Sequence, residues 1–169
     1  MLMTAKQQSE VLRSIQKASG RLEAANRYII PKGGISLAYA LEDALDQKKV
    51  AVAREGSVGF GIDEPVVRVI LTARRFNPDM RSVGCIRLNE DIAETVRELL
   101  QDVEEYDAEK FPKGISTMEW GIAFLCKEGV PAAVVAQNEP TYGGCIYIFG
   151  ETPEDVANRI LIISERLTL

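Results

Sequence analysis

Short apolar runs alternate with segments of helical periodicity along this chain, and this alternation restricts the fold more than any other feature. Strand-like runs occupy residues 35–39, 49–53, 82–88, 103–106, 131–136 and 145–149. Helical patterns occupy residues 4–26, 66–76, 89–100, 116–127 and 153–167, and the glycine-containing segment 56–61 is predicted as a loop. The alternation predicts an α/β domain in which helices cover a sheet on both faces. The two successive strands within 35–53 predict that this sheet is mixed.

The length of the chain predicts one domain. Its 169 residues, 46% of them hydrophobic, suffice for one buried core and are too few for two ordinary domains. We therefore expect a single domain over residues 1–169. An amphipathic helix within residues 1–27, with Val11, Ile15 and Ala18 on one face, is expected to be part of it.

The charge balance argues against some classes of partner. Twenty basic residues stand against 25 acidic ones, for a net charge of -5, so the chain lacks the basic surface with which proteins grip nucleic acid phosphates. We expect a small metabolite or a protein as the partner, and no nucleic acid. No apolar run approaches the ~18 residues of a membrane helix, and no targeting signal opens the chain. The expected location is cytoplasmic, without membrane contact.

The cysteine and histidine counts limit the chemistry. Cys85, Cys126 and Cys145 are odd in number and widely spaced, which favours buried reduced thiols over a disulfide framework or a metal site. The chain contains no histidine, which excludes Ser-His-Asp and Cys-His nucleophilic sites and most transition-metal sites. Any acid or base must be Asp, Glu, Lys, Tyr or Cys.

Several predicted loops are candidates for ligand binding. They lie at Gly33-Gly34, at Gly59–Gly61, at 113–117 and at 141–144. Glycine lets the backbone approach a ligand closely, and the free amides of a helix start favour an anion. Neither glycine pair is followed by the Lys-Ser/Thr of a P-loop, so an ordinary turn is the alternative at each.

The order of these motifs resembles a known family, the ThiN domain, which occurs fused behind a pyrimidine kinase or alone. The most specific elements are Glu119-Trp120-Gly121 and Gly129-Val130-Pro131. The others are Ile30-Pro31, Gly34, Tyr39-Ala40, Phe60-Gly61, Val67-Arg68, Asn77-Pro78, Arg81-Ser82, Ile86-Arg87, Ser116-Thr117, Gly150 and Pro153-Glu154-Asp155. The resemblance spans about residues 5–168.

The resemblance implies a fold, an activity and an assembly. The implied fold is a three-layer α/β/α domain similar to the class II aldolase fold, paired as a homodimer. The family's enzymes are thiamine-phosphate synthases, which join a pyrimidine diphosphate to a thiazole phosphate and release pyrophosphate. The implied ligand is therefore a small phosphorylated metabolite. No cofactor held by protein ligands is implied, and Mg²⁺ is compatible as the ion that accompanies a diphosphate.

The resemblance and the predicted loops together select candidate site residues. Arg87 and Glu119 are the catalytic candidates. The candidates for ligand or phosphate binding are Gly34, Ser36, Gly61, Arg68, Ser116, Thr117, Trp120, Gly143 and Gly144. Each has a structural alternative: surface ion pairs for the arginines, a capping box for Glu119 with Ser116, and core packing for Trp120.

The chain departs from the family pattern, which identifies it as a divergent member. Glu64-Pro65 stands where the family has an Arg-His pair, and Tyr142-Gly143-Gly144 replaces Lys-Glu-Pro. Cys85 replaces an asparagine and Tyr147 an arginine. Three functions stay open: a divergent synthase, a non-catalytic domain that binds a phosphorylated metabolite, and a DNA-binding regulator. The regulator is expected least, because the roughly 27 residues before Ile29 suffice for one helix and not for a helix-turn-helix.

Overall fold

The architecture is a seven-stranded mixed sheet covered by helices on both faces. The computed structural model describes residues 2–112, 117–139 and 143–168. The strands are β1 (Ser36–Ala40), β2 (Val50–Arg54), β3 (Ser57–Phe60), β4 (Ser82–Ile86), β5 (Val103–Asp107), β6 (Ala133–Gln137) and β7 (Gly144–Gly150). The helices are α1 (Leu2–Arg21), α2 (Pro65–Arg74), α3 (Glu90–Leu99), α4 (Thr117–Cys126) and α5 (Pro153–Thr168). The predicted α/β class with a mixed sheet is confirmed.

The strand order is β3-β2-β1-β4-β7-β6-β5. β5 and β6 run parallel, whereas the other neighbouring pairs formed by the described residues are antiparallel. The sheet therefore combines an antiparallel meander with a single βαβ unit, in which α4 connects β5 to β6.

The helices form two layers on opposite faces of the sheet. α1 and α3 each contact α5 on one face, and α2 packs against α4 on the other. Gly84 in β4 lies under Val156 and Ile160 of α5, whereas the next residue, Cys85, faces the side of α2. Successive residues of β4 therefore face the helix layers on opposite sides of the sheet. The three-layer arrangement that the resemblance implied is confirmed.

The N-terminal helix is built as its sequence pattern predicts. Val11, Ile15 and Ala18 are almost fully buried against the sheet, while charged residues such as Arg13 and Lys17 point outward. α1 ends at Arg21, and a short 3-10 turn over Leu22–Ala24 follows it. The helix is therefore somewhat shorter than the 4–26 segment that periodicity indicated.

The predicted loop over residues 56–61 was wrong, because Ser57–Phe60 forms strand β3. Glu55 and Gly56 connect β2 to β3 as a two-residue hairpin turn with φ angles of 49° and 85°. Two consecutive positive φ angles match the twist of the flanking strands. Glycine content suggested irregular structure here, whereas Gly56 serves the tight turn and Gly59 lies within the strand.

All seven described strands have an end at one border of the sheet, which we call the upper edge and where Ser57 of β3 pairs with Arg54. The strand ends that mark it are Ser36, Arg54, Ser57, Ile86, Asp107, Gln137 and Gly144. α2 begins beside this border, because Pro65 and Val66 line a cavity together with Ser36 and Gly144. Strand ends and a helix start converge there, as they do at ligand sites of many layered α/β domains.

Candidate functional site

A cleft of two adjoining chambers opens at the upper edge. The inner chamber has a volume of about 450 Å³ and lies at the start of α2. The outer chamber measures about 530 Å³ and extends toward Arg87 and Leu88. Pro31, Lys32 and Gly144 line both chambers, so the two are continuous. Their size is that of a small-molecule site.

The floor of the inner chamber is one row of residues across four neighbouring strands. Arg54 of β2 is paired with Ser36 of β1, Ser36 with Cys85 of β4, and Cys85 with Tyr147 of β7. Residues that are directly paired across antiparallel strands point to the same face. The register therefore brings four side chains distant in sequence together beneath the start of α2.

An ion pair forms the wall of the inner chamber next to α2. Arg54 Nη1 donates to both carboxylate oxygens of Glu64, at 2.8 and 3.1 Å, and Arg54 Nε donates to the carbonyl oxygen of Gly33 at 2.8 Å. Glu64 is the less exposed partner, with 18% side-chain accessibility against 38% for Arg54. Glu64 therefore neutralises Arg54, and the remaining charge that borders the inner chamber is that of Lys32, where the two chambers join.

The outer chamber carries the unneutralised positive charge of the cleft. Lys32 and Arg87 line it, both are exposed, and neither pairs with a carboxylate among the described residues. The Arg87 guanidinium lies 5.5 Å from the centroid of the Tyr28 ring. The backbone N–H of Arg87 donates to the carbonyl oxygen of Ile29 at 2.8 Å. Tyr28 thus orients the Arg87 side chain without neutralising its charge.

Two of the three thiols line the inner chamber. Cys85 is partly exposed and Cys145 is buried. Burial, assisted by hydrogen bonding to Cys85, raises the pKa of the Cys145 thiol well above its ordinary value. Burial also raises the pKa of Cys126, in α4, to about 11. Cys145 and Cys126 are therefore unreactive thiols at neutral pH, as buried cysteines are expected to be.

The cleft gathers five of the residues predicted for the site. Gly34 and Ser36 line the inner chamber, Arg87 and Gly143 line the outer one, and Gly144 lies between them. These residues come from three separate segments of the chain, and the antiparallel register explains their convergence.

Other predicted residues lie elsewhere. Arg68 and Glu119 line a separate groove of about 680 Å³ on the outer side of α2, where Arg68 pairs with Asp63 at 3.0 Å. Gly61 follows β3, and its backbone N–H donates to the carbonyl oxygen of Gln47. Gly61 lines neither chamber of the cleft. For Arg68 the surface ion pair is thus observed.

Trp120 belongs to an exposed aromatic cluster. Its ring is 5.0 Å from that of Phe111 and 6.2 Å from that of Phe124, and the residue is 49% exposed. It lines neither chamber, and the alternative of core packing is wrong as well. Ser116 lies outside the described residues, as does the side chain of Thr117, the first residue of α4.

Sequence reasoning missed Lys32, Arg54 and the role of Glu64 as a cleft residue. One sequence feature could have pointed to Glu64, because this residue directly precedes Pro65 at a predicted helix start. Arg54 had none, since only the pairing of β2 with β1 brings it to the cleft.

Two kinds of site are absent from the part of the chain that the structure describes. No group of three or more Cys, Asp or Glu side chains there is arranged to hold a metal ion. None of the helices there combines the length and the apolar composition that crossing a bilayer requires.

Comparisons with known proteins agree on one family. The family model described as thiamine-phosphate synthase ThiN matches residues 14–162. The bifunctional thiamine biosynthesis protein ThiDN of Methanocaldococcus jannaschii is 25% identical over 171 aligned residues, which cover 92% of this chain. The alignment covers 41% of ThiDN, so this chain spans less than half the length of that relative.

Solved structures support the same grouping. The crystal structure of the C-terminal domain of a phosphomethylpyrimidine kinase superposes with a TM-score of 0.81 at 26% identity, covering 91% of this chain and 98% of that one. L-fuculose-1-phosphate aldolase from Thermus thermophilus superposes with a TM-score of 0.56 at 11% identity, covering 92% and 90% of the two chains. The second likeness concerns the fold alone and confirms the predicted similarity to class II aldolases.

Proposed function

The chain belongs to the thiamine-phosphate synthase ThiN family, which gives it a role in thiamine metabolism, and from this premise we propose that its cleft binds thiamine phosphate or one of the phosphorylated precursors. The observation that carries the proposal is the contrast between the two chambers. The outer chamber carries Lys32 and Arg87 without carboxylate partners among the described residues, whereas the inner one is lined mainly by apolar groups. A phosphorylated heterocycle likewise has a charged phosphate at one end and a largely apolar ring at the other.

The outer chamber has the chemistry of a phosphate site. Lys32 supplies a compact positive charge, and Arg87 supplies several N–H donors in a plane that matches phosphate oxygens. Gly143 and Gly144 also line this chamber and leave its backbone accessible to a ligand. A phosphate here would receive charge-assisted hydrogen bonds from Lys32 and Arg87.

The inner chamber suits a flat heterocyclic ring. Pro31 and Pro65 supply apolar surface, the almost fully buried Val66 and Tyr147 border the chamber, and the ion pair of Arg54 with Glu64 supplies polar atoms on one side. Its volume of about 450 Å³ is of the size that holds one small ligand. We therefore place the ring inside and the phosphate outside.

Synthase catalysis is the second candidate, and the family and the name of the ThiDN relative favour it. In that reaction Lys32 and Arg87 would stabilise the departing diphosphate, which would enter with its Mg²⁺. Binding is nevertheless the function that the geometry supports best. Glu64 neutralises Arg54, so two exposed cations supply the positive charge available to a diphosphate in the described cleft.

Calorimetric titration with thiamine phosphate tests the proposal. We expect the wild-type chain to bind it, and Arg87→Ala to bind it roughly tenfold to hundredfold more weakly, because a charge-assisted hydrogen bond contributes about 1.5–3 kcal/mol. The matched control is Arg13→Ala, since Arg13 is an exposed arginine on the outer face of α1. Its affinity should equal that of the wild type.

Two results would contradict the proposal: no binding of thiamine phosphate or of either phosphorylated precursor, or an unchanged affinity in Arg87→Ala. A turnover assay separates the two candidate functions. Thiamine phosphate formed from both precursors with Mg²⁺ would identify a synthase, whereas binding without product would identify a non-catalytic domain.

A further inference from the structure

We propose that Glu64 determines the specificity of the inner chamber by accepting a hydrogen bond from an exocyclic amino group on the bound ring. This inference rests on the proposed function and deepens it. It assigns the cleft to phosphorylated aminopyrimidine compounds in preference to rings that present an oxo group at the same place.

The first step is the position of the Glu64 carboxylate. Glu64 directly precedes α2, yet its side chain makes no capping hydrogen bond to the helix. The next residue, Pro65, has no N–H to offer it. The carboxylate is held instead by Arg54 Nη1 and lines the chamber with 18% side-chain exposure. It is thus a fixed acceptor on the chamber wall.

The second step is the acceptor capacity that remains on this carboxylate. An ionised carboxylate can accept about four hydrogen bonds. Arg54 supplies two contacts through a single nitrogen, at 2.8 and 3.1 Å, while its Nε donates to Gly33. Each Glu64 oxygen therefore retains a lone pair for a ligand that enters the chamber.

The third step compares Glu64 with the other groups of the chamber. Lys32 and Arg54 donate only, but Lys32 lies where the inner chamber joins the outer one, and Arg54 Nη1 and Nε already donate to Glu64 and Gly33. The Ser36 hydroxyl can either donate or accept, so it tolerates an amino or an oxo substituent equally. Pro31, Pro65 and Val66 are apolar walls. Glu64 differs because a carboxylate accepts only, and it repels an oxo oxygen. A site built to bond an exocyclic N–H group rejects an analogue that presents an oxygen at the same place.

The test uses a matched pair of ligands, thiamine phosphate and oxythiamine phosphate, in which an oxo group replaces the amino group. Calorimetric titration should show that the wild type binds thiamine phosphate at least about tenfold more tightly. In Glu64→Gln the preference should fall to about twofold or less, because the glutamine amide can donate to the oxo group as well as accept from the amino group.

The control variant is Asp63→Asn. Asp63 is the neighbouring carboxylate, pairs with Arg68 and does not line the cleft, so the ligand preference should stay at the wild-type value. Thermal unfolding of each variant shows whether it is folded before titration. If Glu64→Gln does not fold, Glu64→Asp serves instead, because the shorter side chain withdraws the carboxylate and should lower the preference.

The outcomes separate this inference from the proposed function. Equal affinity of the wild type for the two ligands overturns the role of Glu64, and this measurement needs no variant. An undiminished preference in a folded Glu64→Gln overturns it as well. In either case phosphate binding would still stand. Failure of the wild type to bind any thiamine-pathway phosphate would instead overturn the proposed function.

Discussion

Replacement of Gly144 by alanine should lower the free energy of unfolding by about 3 kcal/mol. Gly144 has a φ of 129°, a backbone conformation that residues with a Cβ rarely adopt. A Cβ there would also lie 2.6 Å from the carbonyl oxygen of Ala136, which is backbone and cannot rotate away. Chemical denaturation measures the loss. Because Gly144 lines both chambers, ligand binding should weaken too.

The control is Gly56→Ala in the hairpin turn. Gly56 has a φ of 85°, and no atom lies within 4 Å of the position of its Cβ. Only the backbone strain is then added, so we expect a loss of about 1 kcal/mol. The difference between the two variants reports the crowding at Gly144, where Leu88 Cδ2 also lies 3.0 Å from the position of the Cβ. Equal losses in the two variants would contradict this account of the upper edge.

Replacement of Gly84 by valine should destabilise the chain by about 3 kcal/mol through overpacking. Gly84 is buried at the centre of the sheet beneath α5. A Cβ would lie 2.9 Å from Leu37 Cδ2, 2.9 Å from Val156 Cγ1 and 3.0 Å from Ile160 Cδ1. The two further methyl groups of valine would push α5 away from the sheet. Chemical denaturation again measures the effect.

A matched change without crowding is Gly20→Ala near the end of α1. No atom lies within 4 Å of the position of its Cβ, and the residue is helical. Alanine is a better helix former, so this variant should gain about 0.5–1 kcal/mol. A loss below about 0.5 kcal/mol for Gly84→Val would show that β4 and α5 are packed less closely than the structure indicates.

Most of the fold could be predicted because local patterns agree with it. Val11, Ile15 and Ala18 mark the buried face of α1 by spacing alone, and the Asn89 side chain caps α3 by accepting a hydrogen bond from the Ile92 amide at 2.8 Å. β3 was missed because its glycine and that of the preceding turn resemble loop residues until the partner strand is known. Hairpin pairing outweighed the low strand propensity of glycine.

The site was less predictable because strand register, rather than local sequence, assembles it. Ser36, Cys85 and Tyr147 lie far apart in the chain and meet only through paired positions in β1, β4 and β7. Arg68 and Arg87 matched the family pattern equally well in sequence. Their positions in the structure differ, since Arg68 pairs with Asp63 in the separate groove beside α2, whereas Arg87 lines the outer chamber of the cleft.

The most direct test of the central claim is a crystal structure of the chain with thiamine phosphate bound. Our account predicts the phosphate in the outer chamber, with oxygens within about 3 Å of Lys32 Nζ and an Arg87 guanidinium nitrogen, and the pyrimidine ring in the inner chamber beside Glu64. A phosphate bound instead in the groove of Arg68 and Glu119 would contradict it.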